Sequence, residues 1–91
     1  MPKSVDANQA RIVAALRAAG ATVTLLHEVG GGCPDLLVGF RGQNFLLEVK
    51  NPETKGFLTE SQYQWHDAWR GWAMVVENET EALVAVGAIG A

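Results

Sequence analysis

Apolar residues recur at helical spacing near the amino terminus and crowd into short runs further along. From Asn8 to Ala19 they lie three or four positions apart, as on one face of an amphipathic helix, and Gly20 suits the carboxyl-terminal cap. Residues 22–28 are rich in β-branched and aliphatic side chains, and three consecutive glycines follow. This pattern predicts a first strand that ends in a turn or loop. The chain is therefore expected to begin with a helix and then a strand.

Two further β-rich runs, residues 35–41 and 44–50, are separated by Gly42-Gln43. They predict the second and third strands. A glycine at the first position of a two-residue loop favours a type II′ hairpin turn. We therefore expect a hairpin in which Arg41 faces Asn44.

Three charged side chains stand in this hairpin. Side chains alternate between the two faces of a strand, so Glu48 and Lys50 share a face. The expected register sets Asp35 opposite Lys50 and diagonal to Glu48, which brings all three onto that face. A shift of one residue would place Asp35 on the other face, because the alternation has a period of two.

The second half of the chain predicts a helix, a strand and a helix. Thr59 and Gln62 have the spacing of a capping box, so the second helix begins there; it is expected to end near Gly71. Residues 73–76 suit a buried fourth strand. Asn78 repeats the capping-box pattern before a last apolar stretch, which predicts the final helix.

The whole chain, residues 1–91, is thus expected to form one α/β domain of order helix, three strands, helix, strand, helix. Its 48% hydrophobic residues and three tryptophans are typical of a folded soluble protein. Its length is close to the lower limit for a single stable core, which favours a partner subunit. No apolar run reaches the ~20 residues that cross a bilayer, and the amino terminus lacks a secretory pattern. We therefore expect a cytoplasmic protein without a membrane partner.

Cysteine content and charge narrow the chemistry. Cys33 is the only cysteine, so it forms no internal disulfide, and we interpret it as a small loop or core residue. The net charge of −3 argues against a nucleic-acid partner, which normally requires a basic surface. However, Glu77, Glu79 and Glu81 cluster near the end, which leaves residues 1–76 with seven acids and all seven bases. The objection is therefore weak.

The residue types in the hairpin suit metal-dependent hydrolysis. Mg²⁺ prefers oxygen ligands and typically takes one or two carboxylates, here Asp35 and Glu48. Such an ion orients a water and offsets the charge that develops on an attacked phosphate. Lys50 would hold that water or balance the phosphate charge. The structural alternative is a cross-strand ion pair between Asp35 and Lys50, with Glu48 solvated at the strand end.

These residues carry a family resemblance. Pro34-Asp35, a spacer of twelve residues and then Glu48-Val49-Lys50 resemble the PD-(D/E)xK nuclease signature, and residues 58–62 resemble the glutamine-bearing helix of the VRR-NUC branch. Within that branch the chain looks most like the small stand-alone proteins of bacteria and phages, which are similar to Holliday-junction resolvases and act as dimers. The resemblance implies a restriction-endonuclease-like core, a mixed central sheet flanked by helices.

The same resemblance implies site residues and an activity. It implies that Asp35, Glu48 and the main-chain carbonyl of Val49 bind Mg²⁺ or Mn²⁺, that Lys50 is the catalytic lysine, and that Gln62 is an auxiliary catalytic residue. The implied protein is a homodimeric endodeoxyribonuclease that hydrolyses phosphodiester bonds in branched or structured DNA such as Holliday junctions. It would act in the cytoplasm of a bacterium or a phage-infected host.

Two alternatives to this enzyme stay open. Family members often carry a glutamate on the first helix, whereas Asn8-Gln9-Ala10-Arg11 contains no acid. That departure puts a second metal or full activity in doubt, and it suits a catalytically inactive nuclease-fold module for DNA binding or assembly. The other alternative is an unrelated α/β interaction domain with an accidental motif, which predicts a hairpin register shifted by one residue.

Residues of the second helix have both structural and functional interpretations. Gln62 also suits the capping box, and His66 lies one turn further on the same face, where it would touch substrate or simply pack. Trp65, Trp69 and Trp72 recur at helical spacing. They suit a core or subunit interface better than stacking on bases.

Several charged residues remain candidates for lesser roles. Lys55 would contact a phosphate or be a solvated loop lysine, and Glu28 would approach the metal in place of the missing helix acid. Arg11 and Arg17, with Lys3, would form a modest basic face or a solvated surface.

Overall fold

The computed structural model of the protein describes residues 4–54 and 57–90. Its elements follow the order helix, three strands, helix, strand, helix, which confirms the predicted α/β architecture. In chain order they are α1 (Ser4–Ala18), β1 (Thr22–Leu25), β2 (Leu36–Phe40), β3 (Gln43–Val49), a 3₁₀ turn (Pro52–Thr54), α2 (Glu60–Ala68), β4 (Ala73–Val76) and α3 (Glu79–Ala85).

The four strands form one mixed sheet in the order β1-β2-β3-β4. The first three strands pair antiparallel, whereas β4 joins β3 in parallel after the crossover that contains α2. Parallel neighbours need such a crossover, which is why a helix separates β3 from β4. The prediction of a mixed sheet flanked by helices is confirmed.

One face of the sheet carries the core. Leu36, Val38 and Leu47 are fully buried on this face, against Ile12 and Leu16 of α1. Side chains of α3 complete the same cluster. The opposite face carries Glu48 and is covered by α2, which contributes no fully buried residue. The alternation along β3 therefore sends apolar residues into the core and its glutamate toward α2.

The register of the β2–β3 hairpin differs from the predicted one by two residues. Asn44 faces Gly39, not Arg41, because the loop consists of Arg41-Gly42 and not of Gly42-Gln43. Both loop residues have positive φ, 51° and 81°, as a type I′ turn requires. The Arg41 guanidinium lies 4.8 Å from the centroid of the Phe40 ring, a cation–π contact that offsets part of the cost of its left-handed backbone.

The β1–β2 connection is longer than predicted. β1 ends at Leu25 and not at Glu28, and Gly32, the last residue of the glycine run that follows, lies against the start of α2. A Cβ added at Gly32 would stand 2.2 Å from the Ser61 carbonyl oxygen. Only glycine permits this approach, which packs the loop against the first turn of α2. None of the helices in the described parts of the chain is long and apolar enough to cross a bilayer.

Candidate active site

The end of the hairpin brings the two predicted carboxylates together. Asp35 directly precedes β2, and the observed register, continued by one residue, sets it opposite Glu48 near the end of β3. The predicted positions, opposite Lys50 and diagonal to Glu48, were therefore wrong by two residues. A shift of two preserves the face, so the Asp35 and Glu48 carboxylates still lie close enough to affect each other's charge. Asp35 is fixed by the main-chain N–H of Val49, which donates to its Oδ2 at 2.8 Å.

Gln62 connects these strands to α2. Its Nε2 donates to Glu48 Oε2 at 3.1 Å, and its Oε1 accepts from Lys50 Nζ at 2.6 Å. The same Oε1 accepts from the Thr59 main-chain N–H at 2.9 Å, while the Thr59 hydroxyl accepts from the Gln62 N–H. The capping box is thus confirmed, and the same side chain also contacts Glu48 and Lys50. The helix cap positions the amide between the carboxylate and the amine.

Lys50 completes the group. Its Nζ lies 3.7 Å from Glu48 Oε2, and its side chain is largely buried. The main chain of Lys50 is tied to α1 as well, because the buried Asn8 side chain donates to the Lys50 carbonyl at 3.2 Å and to that of Glu77 at 3.0 Å. The end of β3 is therefore held from both sides of the sheet.

Glu48 is in an electrostatically unfavourable position. It is only 2% exposed, and burial together with the adjacent Asp35 carboxylate raises its pKa to about 8, against an ordinary value of 4.5. Lys50 lowers this pKa and offsets only part of the effect. The Glu48 Oε1 atom is buried with no hydrogen-bond partner among the described residues. A buried, unsatisfied carboxylate oxygen beside a second carboxylate is costly unless a cation neutralises the pair.

The Val49 carbonyl can contribute a third oxygen. The N–H groups of Leu46 and Lys50 donate toward β4, so the main-chain polar groups of Val49 point toward β2. The last paired residues of the β2–β3 ladder are Leu36 and Leu47. The same register, continued by two residues, sets Pro34 opposite Val49. Proline has no N–H to donate. The Val49 carbonyl therefore has no ladder partner at the place where the two carboxylates meet.

These atoms form a donor set that suits a hard divalent cation. Two carboxylates and one carbonyl supply oxygen ligands, and water or a phosphate would fill the remaining positions of an octahedral ion. No group of three or more His, Cys, Asp and Glu side chains in residues 4–54 and 57–90 is arranged so that these side chains alone could hold a metal ion. Any ion here would thus depend on the carbonyl and on external ligands as well as on the two acids. The orphaned Glu48 oxygen is the feature that fits a bound cation best.

An open cleft of about 560 Å³ gives access to the group. Five of its lining residues were not predicted as site residues: Asn51 and Thr59, which neighbour predicted ones, and Gln9 of α1, His27 of the β1–β2 loop and Phe57, two residues before the cap of α2. The residue types of the last three gave no signal, since each is brought to the cleft by tertiary packing. The complete lining is Gln9, His27, Asp35, Glu48, Val49, Lys50, Asn51, Phe57, Thr59 and Gln62.

Among the described residues, none of the other charged residues considered as candidates for the site is found lining the cleft. Glu28 does not line the cleft; its exposed side chain is 3.8 Å from His27. The exposed Arg11 and Arg17 donate to neighbours within the chain, the Asn8 side chain and the Val23 carbonyl. Lys3 and Lys55 lie outside the described residues.

Of the two interpretations of the tryptophans, a core or a subunit interface, exposure tests the first. Trp65 is half-buried and its ring stacks on that of Trp69 at 4.6 Å, but Trp69 and Trp72 are 44% and 68% exposed. The core interpretation is therefore wrong for these two within the described chain. His66 does not line the cleft either. It packs edge-on against Trp65, and burial, with a smaller contribution from Lys50, lowers its pKa.

Cys33 lies half-buried in the loop before β2. Burial raises the pKa of its thiol, and the negative charges of Glu48 and Asp35 raise it further. The protonated thiol is thus favoured next to the site.

Comparison with known proteins adds no assignment: no family model, no curated protein and no solved structure matches the chain.

Proposed function

We propose that the protein is a metal-dependent endodeoxyribonuclease of the PD-(D/E)xK superfamily, VRR-NUC branch, which hydrolyses phosphodiester bonds in the cytoplasm. One observation carries the proposal. Asp35 and Glu48 meet at an open cleft, with a buried Glu48 oxygen that has no partner among the described residues. A purely structural ion pair would normally satisfy this oxygen, because most buried polar atoms have a hydrogen-bond partner.

The carboxylates and the Val49 carbonyl would hold Mg²⁺ or Mn²⁺. The ion supplies a polarised water and a positive charge beside the scissile phosphate. Asp35 is oriented for this role by the Val49 N–H, which fixes one of its oxygens and leaves the other for a ligand. Glu48 is oriented by Gln62 in the same way.

Lys50 is placed to interact with the attacking water or with a phosphate oxygen. Its ammonium group borders the cleft and is held by Gln62 Oε1 at 2.6 Å, so it has donors left for a substrate. A fixed positive charge in a partly buried site stabilises developing negative charge without reorganisation. Gln62 acts as a positioning residue, since it orients both Lys50 and Glu48.

The substrate proposed is branched or structured DNA such as a Holliday junction, cleaved by a homodimer. Two exposed aromatic side chains at the end of α2, Trp69 and Trp72, support a partner surface. A dimer would also double a sparse set of basic residues. Light scattering that shows a monomer at concentrations at which junctions are cleaved would contradict the dimer.

A catalytically inactive DNA-binding or assembly module is the second candidate. The observation in its favour is that Gln9, not an acid, lines the cleft among the described side chains of α1, residues 7–18. The described residues then offer a metal ion only two carboxylates, Asp35 and Glu48.

Incubation of the purified protein with duplex, flap, single-stranded and four-way-junction DNA, with and without Mn²⁺, distinguishes the two. The enzyme predicts metal-dependent cleavage that is lost in Asp35→Ala and Lys50→Ala while circular dichroism shows an unchanged fold. The inactive module predicts binding without cleavage in every condition.

A further inference from the structure

We infer that Phe57 is a stacking platform for an unpaired nucleobase at the mouth of the cleft, an inference that rests on the proposed DNA substrate. Phe57 is 76% exposed, the most exposed of the large hydrophobic side chains in the described residues, and it lines the cleft that contains Asp35 and Glu48. It lies on a loop where nothing in the core requires a ring.

The position of Phe57 is tied to the site. Two residues later, Thr59 caps α2, and its main-chain N–H donates to the Gln62 oxygen that also accepts from Lys50. The loop that carries the ring therefore ends at an anchor in the catalytic group. A strand whose phosphate reaches the carboxylates would pass its neighbouring sugar and base along the same wall. The cleft volume of about 560 Å³ falls in the range of small-ligand pockets.

The charge of the chain gives stacking a specific purpose. With a net charge of −3, the protein gains little affinity for DNA from contacts to phosphates. This electrostatic part of the affinity falls further as the salt concentration rises. Stacking on an aromatic ring is insensitive to base identity and contributes affinity that does not depend on counterion release. It also requires a base that is not enclosed in a helix. The substrate class inferred is thus DNA with an unpaired or unstacked base beside the scissile phosphate.

The test compares two oligomers of equal length, a thymidine oligomer and one whose sugars carry no bases. Fluorescence anisotropy in Ca²⁺ measures both affinities, and gel analysis verifies that the oligomers stay intact. We expect the wild type to prefer the base-bearing oligomer by roughly 5-fold to 100-fold. Phe57→Ala is expected to reduce this preference nearly to one and to leave the base-free affinity unchanged. The preference should persist when salt lowers both affinities.

Matched variants separate stacking from a merely apolar contact. Phe57→Trp should keep the preference, whereas Phe57→Leu, apolar but without a π-face, should lose it. Val29→Ala is the control, because Val29 is also exposed, at 62%, but does not line the cleft. Each substitution is on the surface, so an unchanged fold is expected.

Three results would overturn the inference: a wild type that binds both oligomers equally or neither, a preference retained in Phe57→Ala, or a preference retained in Phe57→Leu. The last would indicate a general apolar contact such as a protein partner. Failure of the proposed function looks different. A Phe57-dependent base preference without cleavage in Mn²⁺ would support the base contact and contradict hydrolysis, whereas cleavage without that preference would contradict the base contact alone.

Discussion

Replacing Glu48 by glutamine should stabilise the metal-free protein at alkaline pH and abolish its response to metal. Burial and the neighbouring Asp35 carboxylate raise the pKa of Glu48 from 4.5 to about 8. The folded chain therefore keeps a proton that the unfolded chain has released. This contribution to stability is complete below about pH 4.5 and is lost as the pH rises to about 8.

The size of this loss of stability follows from the difference between the two pKa values of Glu48. Each pH unit over which only the folded chain keeps the proton contributes about 1.4 kcal/mol. The free energy of unfolding of the wild type should therefore fall by on the order of 4 kcal/mol between about pH 4.5 and about pH 8. Glutamine has the same shape and carries no charge, and its amide nitrogen can donate to Asp35. At about pH 8 the Glu48→Gln protein should thus be more stable than the wild type by on the order of 3 kcal/mol.

Urea denaturation in EDTA across this pH range measures the difference in stability between Glu48→Gln and the wild type. In Mn²⁺ we expect the wild type to become the more stable protein. A cation that binds only the folded state stabilises the wild type by mass action, whereas Glu48→Gln, which lacks one ligand charge, should show little change. A variant less stable than the wild type in EDTA at about pH 8 would refute the electrostatic reasoning. So would a free energy of unfolding with the same pH dependence in the wild type and in Glu48→Gln.

Three further predictions concern neighbouring residues. Gly32→Ala should lower the free energy of unfolding by about 2 to 4 kcal/mol in urea denaturation, because it combines a positive φ with steric overlap. Gly31→Ala has a positive φ but open space around it, and should lower that free energy by about 1 to 2 kcal/mol. Equal losses of stability would contradict the packing of this loop on α2. Gln62→Ala should cost about 1 to 2 kcal/mol through the lost cap and bridge and should reduce cleavage more than binding; an unchanged cleavage rate would exclude a positioning role. Asp35→Asn should lower the pKa of Glu48, as measured by carboxyl carbon NMR; an unchanged value would show that the two groups do not interact.

The hairpin shows what could be predicted from sequence and what could not. Alternation along β3 predicted correctly that Glu48 and Lys50 would share a face opposite the core. The register was wrong because glycine at the first loop position favoured one turn type, whereas the chain places Arg41 in a left-handed conformation and closes one residue earlier on each side. The site survives this error because both registers keep Asp35 on the same face.

The residues that join the hairpin from other elements could not be predicted, because tertiary structure brings them to the site. The capping box was readable from the spacing of Thr59 and Gln62, but the bridge from Gln62 to the end of β3 was not, since it requires α2 to cross that face of the sheet. Gln9, His27 and Phe57 come from three separate segments, and no local pattern joins them. A sequence can therefore predict which residues carry chemistry more readily than which residues surround them.

Isothermal titration calorimetry with Mn²⁺, on the wild type and on Asp35→Ala, measures whether Asp35 and Glu48 together bind a divalent cation. We expect saturable binding to the wild type and no binding to the folded variant. Binding to the wild type should release protons at neutral pH, because the pKa of Glu48 is raised. Absence of binding to the wild type, or equal binding to both proteins, would contradict this expectation.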